Sequence, residues 1–312
     1  MQTCVVHRAA SEPPAISGRA ISQESCRLAI VLSLTPCQLF RQYGLAVRNR
    51  VLIYAEALDV AAEGAVWYAR RVGGGEFAAL HVAGPNTDSG IRARWFDFTG
   101  GESRLDVRPA GTDATKAVLA EIARLRDEAD GIVTVVLPEQ FRKRSLLAAA
   151  QRAQFRLKLR LLVEPGVVVA DVPAVTSERR PEGRVPKRLI VRVLVGDLDE
   201  TAHAAVAYAR QLGGVDELRA IHFGERTWAE DDLGIPVDDR PEQARLGDAI
   251  LEEVRKLTSD PTAAVNVVLP ERIQPGLRRL RGRRAIAIKR CLLFEPHVIL
   301  TSVPHRDDQS AT

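Results

Sequence analysis

Long apolar runs, paired cysteines and aromatic side chains are what this chain lacks. The most apolar stretch near its start, residues 28–40, spans about thirteen residues and is broken by Pro36, whereas a membrane-spanning helix needs roughly twenty. It follows a polar stretch with acidic residues, so it does not read as a secretory leader either. Cys4, Cys26, Cys37 and Cys291 are scattered, which gives no zinc spacing and favours reduced cytosolic thiols over a disulfide framework. The net charge is only +4, so global steering toward nucleic acid or membrane is weak and any electrostatic partner must be read from local clusters. No Ser-His-Asp set, P-loop, GxGxxG, HExxH or CxxC motif is present, and the chain reads as a protein that is not an enzyme. A metal site is not expected.

What is there is a soluble globular composition, 46% apolar and 27% charged, written nearly twice. Tyr68-Ala69-Arg70, two residues and Gly73-Gly74 recur as Tyr208-Ala209-Arg210, two residues and Gly213-Gly214. Val135-Val136-Leu137-Pro138-Glu139 recurs as Val267-Val268-Leu269-Pro270-Glu271, and Glu164-Pro165 recurs as Glu295-Pro296. The offset of about 131–141 residues is the size of a whole domain, far longer than a solenoid repeat. The organisation expected is an extension over residues 1–46, partly disordered; repeat one over 47–175; a charged, proline-bearing linker over 176–186; repeat two over 187–305; and a tail over 306–312.

Within each repeat, Val/Ile/Leu runs of strand length alternate with stretches of helical spacing. Val51–Ala55, Phe77–Val82, Leu105–Val107, Ile132–Leu137 and Val167–Val172 are the strands of repeat one, with helices from Asp59 to Arg71, over 113–129 and over 145–163. Phe155–Leu161 alternates with period two but follows Ala148-Ala149-Ala150 and is assigned to the last helix. This grammar predicts α/β architecture: two tandem doubly wound parallel sheets of Rossmann-like type, packed as an intramolecular pseudo-dimer.

Ligands of such sheets bind past the carboxyl ends of the strands. Asp59 and Asp197 follow the first strand of each repeat, and either a nucleotide contact or a helix N-cap would explain them. His81 and His222 end the second strand, with no neighbouring ligand to make a metal pair. Glu139 and Glu271 follow the fourth strand, where a phosphate cradle would need glycine amides; Pro-Glu there removes a donor, adds a negative charge and is expected to stop the strand. A basic, acid-free stretch follows in both copies: Arg142, Lys143, Arg144, Arg152, Arg156, Lys158 and Arg160 in the first, and Arg278, Arg279, Arg281, Arg283, Arg284, Lys289 and Arg290 in the second. It is either a solvated helix face or a surface for anionic lipid. Only Phe141 and Phe155 could stack on bases, so nucleic acid is not the expected partner.

The runs Asn49–Ile53, Tyr68–Arg70, Ala79–Val82, Val135–Glu139, Arg156–Leu159 and Glu164–Pro173 resemble the soluble C-terminal region of actinobacterial permeases of the amino acid–polyamine–organocation superfamily. That region is similar in layout to universal stress proteins. The resemblance implies a cytoplasmic, membrane-associated regulatory or binding module without a cofactor, partnered by an amino acid permease. The glycine-rich nucleotide loop of universal stress proteins is missing. A tandem universal stress protein that binds ATP through Asp59 and Asp197 is the alternative, and a basic module docking on anionic membrane is another.

Overall fold

The computed structural model describes residues 48–84, 89–128, 131–141, 153–175, 186–273 and 283–306, which belong to one compact unit. The first half runs β1 (Arg48–Tyr54), α1 (Val60–Val72), β2 (Ala78–Val82), α2 (Ile91–Thr99), β3 (Leu105–Arg108), α3 (Ala114–Glu128), β4 (Gly131–Phe141), α4 (Ala153–Leu161) and β5 (Val167–Val175). The second runs β6 (Arg188–Val195), α5 (Glu200–Gln211), β7 (Glu217–Phe223), α6 (Glu230–Leu233), β8 (Val237–Arg240), α7 (Leu246–Thr258), β9 (Ala263–Ile273), α8 (Arg283–Leu292) and β10 (Val298–Arg306). Alternating strands and crossover helices make a doubly wound α/β fold, as the sequence pattern predicts. The expected extension, the linker up to residue 185, the tail after Arg306, which ends β10, and the first part of each basic stretch lie outside the described residues.

Strand order is β3-β2-β1-β4-β5-β10-β9-β6-β7-β8 in one ten-stranded sheet. Each half is parallel throughout, and the two join where β5 meets β10 antiparallel. At that seam Ala170 lies opposite Thr301, flanked by Asp171 opposite Leu300 and Val169 opposite Ser302. The equivalence of Glu164 with Glu295 makes Ala170 the counterpart of Thr301. A local two-fold axis therefore passes between these two residues, normal to the sheet, and keeps equivalent helices on the same face.

The halves share one of their cores. On one face α1 and α5 bury Val66, Tyr68 and Ala69 with Val206, Tyr208 and Ala209 in a single cluster that reaches from Trp95 to Val237. On the other face the cores are separate: Val118, Ile122, Leu157 and Leu161 cover the first half, and Ile250, Val254, Ile288 and Leu292 the second. The antiparallel seam brings α1 beside α5 and fuses the cores of the two halves on that side.

The repeated Tyr-Ala-Arg and Gly-Gly residues are explained at this junction. Tyr68 OH accepts from Asn266 Nδ2 at 2.8 Å, Tyr208 OH bonds Thr134 Oγ1 at 3.1 Å, and Thr134 and Thr301 donate in turn to Asn49 and Asn266. The arginines tie the helix ends down: Arg70 donates to Thr99 O, and Arg210 to Gly234 O. Gly213 N donates to Val72 O at 3.1 Å, and a Cβ on Gly213 would stand 2.9 Å from Arg71 O, so the turn admits no side chain without moving α1. Arg71 closes the seam with an ion pair to Asp216.

Burial pushes the Tyr68 phenol up to about 12 and the Tyr208 phenol well above its ordinary 10.0. Burial and then the Glu56 charge do the same for Tyr54. The unfolded chain ionises these phenols near 10.0 and the folded chain does not. The stability they contribute is thus complete below that pH and is lost as pH rises through about 12. A spectrophotometric alkaline titration should show their phenolate signal only together with loss of circular dichroism. Ionisation of Tyr68 and Tyr208 near their ordinary pKa in a folded chain would contradict this burial.

Pro138-Glu139 and Pro270-Glu271 do not stop their strands, contrary to the sequence expectation. β4 continues to Phe141 and β9 to Ile273. β1 pairs with β4 only as far as Val136, and β6 with β9 only as far as Val268, so each proline sits where the strand has one free edge. β5 and β10 carry the pairing onward past Pro138 and Pro270.

Candidate functional site

The carboxyl ends of the two parallel halves point in opposite directions, so the chain has two equivalent strand-end regions. Asp59 caps α1 by accepting from Ala62 N at 3.0 Å. In the second half the capping residue is Asp199, which accepts from Thr201 N, Thr201 Oγ1 and Ala202 N at 2.9, 2.6 and 3.0 Å. Asp197 is exposed and stands where the first half has Ala57, so the pairing of Asp59 with Asp197 is corrected to Asp59 with Asp199. Burial acts to raise the Asp199 pKa, but the Thr201 hydroxyl, the Ala202 amide and Arg272 at 3.0 Å outweigh it and hold it low.

His81 and His222 are buried and equivalent. Nδ1 of His81 donates to Ala55 O at 2.8 Å, and Nδ1 of His222 to Val195 O at 3.1 Å, which pins the chain just past β1 and at the last residue of β6. Nε2 of His222 is buried without a hydrogen-bond partner among the described residues, edge-on to Trp228 at 5.6 Å between ring centroids. Among the described residues no group of three or more His, Cys, Asp or Glu side chains could hold a metal ion.

Glu139 turns to the opposite face from His81, under α4. There Lys158 Nζ lies 2.6 Å from Glu139 Oε1 and 3.0 Å from Asp171 Oδ1, with both carboxylates almost wholly buried. Burial acts to lower the Lys158 pKa, yet Asp171 and Glu139 together raise it above its ordinary value, and the side chain is held as an ammonium. The second half keeps half of this arrangement: Lys289 pairs with Glu271, and Ser302 replaces Asp171. Of the six predicted strand-end residues the structure brings none into direct contact with another; it joins Glu139 to a lysine and an aspartate from other elements.

Lys158 belongs to the basic stretch of the sequence but not to a solvated surface: its side chain is 15% exposed and faces inward. Asp171 lies in the Glu164–Pro173 run, but nothing local in the sequence marks its pairing with Lys158. The available signal was the matching Lys158 and Lys289, each between buried Leu or Ile positions of a helix. Arg156, Arg160 and Arg290 are exposed, with Arg160 3.0 Å from Glu164. Arg142, Lys143, Arg144, Arg278, Arg279 and Arg281 lie outside the described residues, and Arg283 and Arg284 open α8.

Comparison with known proteins places this geometry in a class. The family described as KimA potassium transporter C-terminal domain matches residues 47–174 and again 186–305. Together the two matches cover most of the chain, and the chain belongs to that family. Among solved structures, a universal stress protein from Archaeoglobus fulgidus DSM 4304 is similar at 14% identity and a TM-score of 0.49, covering 86% of this chain and 99% of its own. No curated protein matches. Among the described residues no helix is long and apolar enough to cross a membrane.

Proposed function

We propose that this chain is a non-enzymatic regulatory module that acts on a membrane transporter from its cytoplasmic side. The transporter carries the cargo, potassium by the family's description or an amino acid by the resemblance to permeases. The observation that supports this reading most is that both halves match a transporter's C-terminal domain.

The strand ends support it by what they offer a ligand. Near the end of β4 two carboxylates, Glu139 of β4 and Asp171 of β5, are joined to a buried lysine, and the sequence has no glycine between Glu139 and Glu164, so a phosphate there would meet negative charge. Losing two charge-assisted bonds of about 1.5–3 kcal/mol each weakens a nucleotide roughly 10²–10⁴-fold. On this reading the chain works without ATP.

Co-flotation tests the proposal. The chain is added to vesicles holding a KimA-type potassium transporter and to matched empty vesicles, with ATP calorimetry alongside. We expect the chain to float with transporter vesicles in excess of empty ones, and no heat with millimolar ATP. Equal flotation in both vesicle types would remove the transporter reading, and saturable ATP heat would favour a nucleotide-binding stress protein instead.

A further inference from the structure

α4 and α8 are equivalent helices on the same face of the sheet, and both expose an apolar residue at the same position. Phe155 is 38% exposed and Ile286 44%. Leu157 and Leu161, like Ile288 and Leu292, point inward, so the outward strips are Phe155, Arg156 and Arg160 on α4 and Ile286, Ala287 and Arg290 on α8. Both helices are acid-free, and so is the chain from Gln140 to Val163 and from Arg272 to Phe294. Around them, Glu139, Asp171 and Glu271 are drawn inward by Lys158 and Lys289, Glu164 pairs with Arg160 at 3.0 Å, and Asp248 of α7 lies near Cys291 of α8, which leaves Arg156 and Arg290 as the exposed arginines of the two strips.

We infer that this face docks on an anionic lipid surface. Exposed apolar side chains beside arginines, on helices that carry no acid of their own, are the chemistry that inserts at a headgroup boundary while binding lipid charge. The local two-fold normal to the sheet turns both helices toward the same plane, so the chain meets the surface at two sites at once and the second contact is intramolecular. A second copy seated on this face would oppose arginine to arginine, and the charge does not favour it. The inference is separate from the transporter reading, because its test contains no transporter.

The whole chain is floated with vesicles of phosphatidylcholine alone and of phosphatidylcholine mixed with phosphatidylglycerol, at low and high salt. Binding is expected only to the anionic vesicles, fading as the screening length falls from about 30 Å at 0.01 M to about 3 Å at 1 M salt. Each arginine near such a surface is worth roughly fivefold in partitioning, so Arg156→Glu with Arg290→Glu should lower it about 25-fold or more. Phe155→Ser with Ile286→Ser should also weaken binding while circular dichroism shows the fold retained, since both side chains are partly exposed. Binding that ignores lipid charge, or variants that bind like the parent chain, would overturn the assignment. So would a dimer in sedimentation that Phe155→Ser and Ile286→Ser dissolve while the vesicles stay bare.

Discussion

Lys158→Met should destabilise the fold by about 3–5 kcal/mol, because it strands two carboxylates in a buried site with no cation between them. Glu139 Oε1 and Asp171 Oδ1 stand 2.6 and 3.0 Å from the ammonium that the change removes. In a chain of this size each kcal/mol moves the melting temperature by roughly 2–4 °C, so a fall on the order of 10 °C is expected. Lys289→Met is the internal control. It leaves one carboxylate, Glu271, whose side chain is 13% exposed against 5% for Glu139. Its effect should be clearly smaller. Adding Glu139→Gln and Asp171→Asn to Lys158→Met should restore much of the loss, since the uncompensated charge is what costs. Equal melting shifts for the two lysine variants would show that the first-half cluster is no tighter than its partner.

Tyr68→Phe should cost about 1–3 kcal/mol, the penalty for orphaning a buried donor. Asn266 Nδ2 loses its 2.8 Å acceptor at a site shielded from water. Tyr208→Phe should cost less, because when its hydroxyl, which bonds both Thr134 and Tyr68, is removed, Thr134 keeps its 2.7 Å bond to Asn49 and Tyr68 keeps its bond from Asn266. Denaturant melts of the two single variants check this order. A Tyr208→Phe variant as damaged as Tyr68→Phe would show that the two hydroxyls act as one unit across the local axis.

The α/β strand grammar was legible in the sequence, because buried parallel strands demand continuous Val/Ile/Leu runs. α4 was legible despite its period-two pattern: an alanine run leads into it, and Leu157 and Leu161 are buried at helical spacing. α2 was not. Its stretch Ile91–Thr99 reads as polar, and what holds it is one buried ring, Trp95, whose Nε1 donates to Ser103 O at 3.1 Å. Such a contact has no local pattern. The continuation of β4 and β9 through proline also escaped, since a proline's tolerance depends on which neighbouring strand has already ended.

The left-handed turn before the last strand of each half shows the same limit. Gly166 has φ 64° and His297 has φ 62°, so the sequence difference conceals one conformation. The strand-end site was legible only in part. Glu139 stood out by repetition, but the pairing with Asp171 exists because β5 lies beside β4 and α4 folds back over both.

Rubidium uptake by a reconstituted KimA-type transporter, with and without this chain on the cytoplasmic side, tests the central reading most directly. A regulatory module should change the rate by about fivefold or more, the lower range of usual coupling between sites. Identical rates with the chain bound in excess would contradict it.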